Sequence, residues 1–358
     1  MSKVLMKGND AISESAVRAG CRLFAGYPIT PQSEILEYLA KRLPEVGGQF
    51  VQTESELAGI SAAYGGSAAG FRVLTSSSGP GFSLLQEGIS YIASAELPCV
   101  IVNVMRYGSG LGDIYQAQGD YWQTVKNGGH GDYRCLVYAP NSVQESADLT
   151  YMAYDKAEEH RNPVLILSDA SIGQMMEPVE FKDMKEHDPD QFDWSLKGKG
   201  DGPFRRTTST MYYHESYEAY DKYIQQKYRN IEATEQMWDE YELDDAEIVF
   251  VAYGITSRIC KEAVKIARKN GIKLGLLRPI SLYPFPIKAF DKINSDSVKA
   301  LVSVELSVLG QMVEDVKLAC EMKIPVHPYL TAARVPLAEE LLEFVENVQN
   351  QLAEEVCL

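Results

Sequence analysis

Four clusters of residues carry side chains able to do chemistry, and each falls where an apolar run gives way to a helical one. The first is Tyr27-Pro28-Ile29-Thr30-Pro31. Two prolines stiffen this turn, so the Thr30 hydroxyl is held in one orientation, toward a crevice if the turn borders one. The alternative is that Thr30 caps the helix that follows. The second is Glu56, within Thr53-Glu54-Ser55-Glu56, heading a run of small residues that includes Ala58, Gly59, Ala62, Ala63, Gly65 and Gly66. So lean a helix lets another element or a flat ligand approach closely. A carboxylate in its first turn is either a surface charge favoured by the helix dipole or, facing an apolar crevice, a proton-sharing group whose pKa burial raises. Glu54 competes with Glu56 for that role. The third is Ser76-Ser77-Ser78-Gly79-Pro80-Gly81, which closes a strand and opens a helix. It suits an anion cradle or a tight structural turn. It is not a phosphate loop, a dinucleotide fingerprint or a nucleophile elbow, because G-K-[ST], G-x-G-x-x-G and G-x-S-x-G are all missing from it. The fourth is Arg106, followed by the glycine-rich segment 107–133 with Gly108, Gly110, Gly112, Asp120 and Gly128-Gly129-His130-Gly131-Asp132. A guanidinium grips a carboxylate with two parallel hydrogen bonds, though a lone arginine at a strand end also serves as a surface ion pair. A long glycine-rich segment favours a site or a lid.

Positioning these residues requires an alternating framework. The sequence predicts a helix over 9–20, a strand over 22–26, and a helix opening at Pro31 and running to about Arg42. A strand at 49–52, a helix from Ser55 to about Ala69, a strand at 72–77 and a helix through Ala95 follow. Strands at 99–105, 134–140 and 163–169, with a helix at 142–160, complete the first unit. Strands this apolar, separated by helices, argue a parallel sheet covered on both faces. Ligands in such folds bind outside the carboxyl ends of the strands, where all four clusters lie. Residues 186–245 differ: they hold 15 acids, seven basic residues and seven of the 21 tyrosines, at 212, 213, 217, 220, 223, 228 and 241. This reads as an acidic connecting arm with one long helix over about 215–242, whose tyrosines need a surface to pack on. From 246 the α/β rhythm returns, with strands at 246–254, 273–281 and 301–307 and helices at 257–269 and 309–321. The expected organisation is therefore 1–185, an arm at 186–245, and a smaller α/β domain at 246–358.

Composition narrows the function. The 358 residues carry 34 Lys+Arg against 50 Asp+Glu, a net charge of −16 that repels phosphate backbones and argues against nucleic-acid binding. The longest apolar runs, such as 99–102, are strand-length, so no membrane span is expected. No signal peptide is visible in the polar N-terminus, and Cys357 is too near the end for a prenylation signal. The six cysteines, at 21, 99, 135, 260, 320 and 357, are all more than thirty residues apart, so no metal or iron–sulfur ligand cluster is read. These features describe a cytoplasmic enzyme or enzyme subunit.

Taken together, GYPITP (26–31), ESELAGISAAYGGSAAG (54–70), TSSSGPG (75–81), VNVMRYGSG (102–110) and GGHGDY (128–133) are collinear with one family. The chain resembles the α subunit of the 2-oxoacid:ferredoxin oxidoreductases over nearly its whole length, least so in the arm. LPEVGGQFVQTESE (43–56), LQEGISYIASAELPCVIVNVMR (85–106) and GQMMEPVEF (173–181) look most like the branched-chain, 2-oxoisovalerate subgroup, with the 2-oxoglutarate subgroup next. The resemblance implies an α/β thiamin-diphosphate-binding fold, a parallel sheet with helices on both faces, plus a smaller transketolase C-terminal-like α/β domain. It implies that Glu56 is the catalytic carboxylate that hydrogen-bonds the cofactor's aminopyrimidine and so favours deprotonation of its thiazolium carbon. Thr30 and Arg106 would bind the substrate, Arg106 pairing with its carboxylate. Tyr27, Pro28, Ile29, Ser78, Gly79, Pro80 and Gly81 would line the cofactor crevice.

The same resemblance implies what lies elsewhere. The diphosphate and its Mg2+ belong on a β subunit, and the iron–sulfur clusters on β or a small ferredoxin-like subunit, with a γ subunit completing the complex. Gly200-Asp201-Gly202 and Asn230 have nearly the spacing of the diphosphate-magnesium motif, but no apolar strand precedes them, so no metal ligand is assigned to this chain. Alone the chain would be inactive. The complex would convert a branched-chain 2-oxoacid and coenzyme A to acyl-CoA and CO2, passing electrons to ferredoxin. Other readings are a 2-oxoglutarate-specific α subunit, a subunit of a lipoamide-linked 2-oxoacid dehydrogenase, and a non-catalytic scaffold subunit.

Overall fold

A computed structural model describes residues 3–198, 200–210, 215–293 and 297–356. Tyr212, Tyr213 and Cys357 lie outside the described residues. The longest strands are the most apolar: β5 (Cys99–Met105) and β7 (Pro163–Asp169) are buried at every position. They sit at the centre of a seven-stranded sheet with β4 (Val73–Ser77), β2 (Leu23–Gly26) and β3 (Gln49–Gln52) on one side and β6 (Leu136–Tyr138) on the other, all parallel. Alternate residues feed two cores. Val100, Val102 and Val104 meet the helices α1 (Gly8–Arg18), α2 (Ser33–Glu45) and α6 (Val143–His160). Cys99, Ile101 and Met105 meet α3 (Glu56–Ala68) and α4 (Gly79–Ser94) on the opposite face. Helices therefore cover both faces of a parallel sheet.

The second sheet is built on β10 (Ile248–Val251), β11 (Leu274–Pro279), β13 (Ala300–Glu305) and β14 (Val326–Leu330), which are parallel. Helices α9 (Gly254–Lys269) and α11 (Ala338–Val356) pack against one of its faces. Its other face shares a core with α4 and the first sheet, where Val249, Val251 and Tyr253 join Phe82, Ile89 and Ile101.

Several local readings change. The helix expected from Pro31 starts at Ser33, with Gln32 at its N-cap position, so Thr30 does not cap it. The arm helix α8 spans Tyr217–Thr234 rather than 215–242. Beyond it the chain extends as β9 (Trp238–Tyr241), an antiparallel edge strand of the second sheet. In WDEY the aromatic ends Trp238 and Tyr241 are half-buried and the central Asp239 and Glu240 are exposed, and charged side chains of this kind suit an edge strand. The segment read as one strand over 273–281 divides into β11 and β12 (Ser281–Tyr283), the latter crossing to pair antiparallel with β6 in the first sheet. A two-stranded ribbon of β1 (Val4–Lys7) and β8 (Met176–Val179) has no counterpart in the sequence reading. The arm tyrosines find their surface: Tyr223 Oη donates to Glu96 (2.6 Å), and Tyr228 packs against both cores of the first unit.

Candidate active site

Helix α3 sits where it does because it is lean. A Cβ added at Gly59 would stand 3.0 Å from Gly26 Cα, so this helix lies directly against the end of β2. Its small residues thus serve close packing on a strand. Ser55 caps the helix through its hydroxyl, which accepts from Ala58 N (3.3 Å). Glu56 follows as the first helical residue and is 5% exposed, whereas Glu54 lies in the open. The Glu56 carboxylate has no hydrogen-bond donor among the described residues. It reaches instead across the first turn of α4, and a Cβ at Gly81 would collide with it and with Ser77 Oγ. The hydroxyls of Ser77 and Ser78 are buried there without partners. A buried carboxylate beside an unpaired buried hydroxyl is costly in isolation, and such a constellation suits a polar ligand edge.

Arg106 ends up on the far side of the same turn. It is buried, with Nη1 donating to Thr30 O (2.9 Å) and Nη2 to Leu111 O (2.7 Å). The guanidinium thus clasps two main-chain carbonyls and takes no part in an ion pair among the described residues. Its Nε is buried and unpartnered, beside Gly79, where a Cβ would come within 2.8 Å. Thr30 is exposed and reaches this clasp through its carbonyl. Tyr27 and Pro28 are exposed and Ile29 is half-buried. Gln32, which the sequence reading passed over, ties this turn to the site: it is fully buried, donates to Tyr27 O (3.1 Å) and accepts from Ser76 Oγ (2.6 Å).

Gly79, Pro80 and Arg106 line a cavity of about 840 Å3, closed on one side by Tyr107–Gly110 and Asp120 and on the other by Leu306–Leu309 and Gln311 of the second unit. The glycine-rich loop folds back on itself through Tyr107 N to Tyr115 O and Asp113 N to Tyr107 O, both 2.9 Å, with Gly110 and Gly112 at positive φ. Gln118 fixes it to the second unit. Gln118 N donates to Leu306 O (2.6 Å), Gln118 Oε1 accepts from Leu306 N (2.9 Å), and Gln118 Nε2 donates to Tyr253 O (3.1 Å). Beside it Asp169, at the end of β7, accepts from Ile255 N (2.5 Å) at the start of α9. Burial pushes Asp169 up to about 7. No sequence spacing connects these positions, because each contact spans more than eighty residues.

The remaining motifs lie elsewhere. The 128–133 loop packs along α4, Gly128 N donating to Gln86 Oε1 (3.0 Å), and borders a separate cleft of about 750 Å3 facing α8. Asn230 sits within α8, accepting from Gln226 (2.8 Å), and Asp201 is exposed in the segment before that helix. Glu159, His160 and Glu235 gather closely enough to hold an ion, but the Lys156 ammonium already bonds Glu235 at 3.0 Å. Among the described residues no helix is long and apolar enough to cross a membrane.

Comparison with known proteins gives this geometry its context. The family model for pyruvate flavodoxin/ferredoxin oxidoreductase, thiamine diphosphate-binding, matches residues 14–242. That for pyruvate:ferredoxin oxidoreductase core domain II matches 246–335. The ketoisovalerate oxidoreductase subunit VorB of Methanothermobacter marburgensis is 51% identical over 320 residues, covering 89% of this chain and 90% of that protein. The chain belongs to the 2-oxoacid:ferredoxin oxidoreductase family. Within the family, the 2-oxoglutarate synthase subunit KorA of Methanocaldococcus jannaschii is 38% identical over 345 residues, covering 90% and 93% of the two chains. A solved 2-oxoglutarate:ferredoxin oxidoreductase from Magnetococcus marinus, with 2-oxoglutarate, coenzyme A and succinyl-CoA bound, shares the fold at a TM-score of 0.85 and 24% identity. The match covers 97% of this chain, which spans 65% of that longer one. The chain is thus an α-type subunit of an oxidoreductase, with both domains of its family in one parallel α/β framework.

Proposed function

We propose that this chain is the pyrimidine-side subunit of a 2-oxoisovalerate:ferredoxin oxidoreductase. The single observation behind the assignment of chemistry is Glu56: a buried carboxylate, without a donor among the described residues, aimed over Gly81 beside the unpaired Ser77 hydroxyl, with the Ser78 hydroxyl also buried and unpaired in the same turn. That donor set suits the edge of an aminopyrimidine, with which Glu56 shares a proton at a ring nitrogen while the serines satisfy its polar rim. Thiamin diphosphate, held in this way, supplies the electron sink for decarboxylation. The buried, unpartnered Nε of Arg106, beside Gly79 in the lining of the cavity, is a charged donor suited to the substrate's carboxylate. Gly79 and Pro80 shape the floor between the two, and Tyr27, Pro28 and Ile29 form the outer rim. Thr30 orients Arg106.

The diphosphate and its Mg2+ are assigned to a β subunit and the iron–sulfur clusters to β or a small ferredoxin-like subunit, a γ subunit completes the complex, coenzyme A enters as co-substrate, and ferredoxin takes the electrons. The complex is placed in the cytoplasm. The branched-chain substrate is favoured over 2-oxoglutarate by the higher identity to the ketoisovalerate subunit, 51% against 38%. The chain is divided into domains at 1–185 and 246–358 joined by an arm at 186–245; the change of family model between 242 and 246 supports the second of these limits.

The test is coexpression with the partner subunits and viologen reduction with 2-oxoisovalerate, 2-oxoglutarate and pyruvate, each with coenzyme A. Glu56→Gln is expected to lose turnover by about 10²-fold or more while the complex still assembles. Unchanged turnover in an intact complex would leave only a scaffolding role.

A further inference from the structure

Asp120 lines the same cavity as Arg106 and is a second charged group there. It immediately precedes a short helix, α5 (Tyr121–Val125), and its carbonyl accepts from Thr124 N (3.0 Å). Its carboxylate accepts from Asn103 Nδ2 at 3.0 Å. Asn103 is fully buried in β5, the strand that delivers Arg106 just beyond its end, and its own Oδ1 has no partner. The second unit holds the preceding residue, through Gln311 Nε2 donating to Gly119 O (2.7 Å). The carboxyl is therefore aimed by one strand and braced from across the cavity.

Burial pushes Asp120 up to about 6, and the Asn103 hydrogen bond and the Arg106 charge pull the other way. The groups around it are few. Arg106 is the cation, contributed by the end of β5. Tyr253, from the turn between β10 and α9, is raised by burial and by the charges of Asp169, Glu305 and Asp120. An anion docking on Arg106 brings a second negative charge into the same cavity. Two carboxylates facing one cation across the same cavity cannot both stay ionised at low cost.

We propose that Asp120 is a charge-setting, positioning residue of the 2-oxoacid site, taking one proton from solvent as the substrate's carboxylate docks on Arg106. The proton returns to solvent once the carboxylate is gone: CO2 departs neutral, and the electron pair of the broken bond passes into the cofactor's electron sink. The inference rests on Arg106 being the partner of the substrate's carboxylate.

The experiment uses the assembled complex at saturating coenzyme A, with viologen as acceptor. The KM for 2-oxoisovalerate is measured from pH 5.5 to 8.5 for wild type, Asp120→Asn and Asp120→Glu. In wild type KM should rise about tenfold between pH 6 and 8, as a coupling of ordinary size predicts. In Asp120→Asn it should stay low and vary less than about twofold over the same range, with Asp120→Glu recovering a slope. A slope in Asp120→Asn equal to that of wild type overturns the proposal. Should Asp120→Asn fail to assemble, calorimetry of substrate binding to wild type in buffers of different ionisation enthalpy decides. Proton uptake near pH 7 supports the idea, and no uptake overturns it. A wild-type complex that reduces no viologen with any 2-oxoacid would instead remove the functional reading itself.

Discussion

Replacing Gly81 with alanine separates the position of the Glu56 carboxylate from its presence. The new methyl would stand 2.9 Å from Glu56 Cδ and closer still to its Oε1 and to Ser77 Oγ. An ordinary contact begins near 3.4 Å, so the carboxyl carbon must retreat by about 0.5 Å and the oxygen by about 1 Å. Moving the side chain off its rotamer costs about 0.5–1.5 kcal/mol. Alanine returns about 1 kcal/mol of helix propensity at this helical position, so net stability should change by less than about 1 kcal/mol. Catalysis should not be spared, because a misplacement of about 1 Å costs on the order of 10² in rate. Gly65→Ala is the matched control: it lies on α3 with nothing within 4 Å of an added Cβ. That substitution should leave turnover unchanged and stabilise the protein by about 0.5–1 kcal/mol. The assay is viologen reduction by the reconstituted complex, alongside thermal melts of each variant. Wild-type turnover in Gly81→Ala would refute the placement of Glu56 over this turn.

Two further outcomes follow from the same contacts. Arg106→Lys loses the planar fork that spans Thr30 O and Leu111 O, so KM for the 2-oxoacid should rise at least about tenfold. Limited proteolysis should then cut the 107–115 loop faster, and an unchanged cleavage rate would mean that the clasp does not hold it. Asp169 carries a folded-state pKa of about 7, raised by burial, while the unfolded chain has the ordinary carboxyl value. Its contribution to stability is therefore full at acid pH and lost as pH rises through about 7, by at most about 4 kcal/mol. Asp169→Asn keeps an acceptor for Ile255 N and should flatten this dependence, raising the melting temperature at pH 8 more than at pH 5. Identical pH dependence in the two proteins would place the titration elsewhere.

The sequence by itself determined the parallel frameworks, because continuous apolar runs such as 99–105 and 163–169 can only be buried on both faces. It also determined where each chemical cluster interrupts them, since glycines, prolines and serines at strand ends are local signals. Residue type and spacing alone could not choose between Glu54 and Glu56, two positions apart; the family resemblance pointed to Glu56, and the packing of α3 on β2 puts Glu54 in the open and Glu56 over Gly81. Tertiary structure alone decided that Thr30 meets Arg106 through its carbonyl. The same holds for Gln32, Gln118, Asp120 and Asp169 bracing the site. Their partners stand far away along the chain or in the second unit, and local periodicity carries no record of a neighbour brought close only by folding.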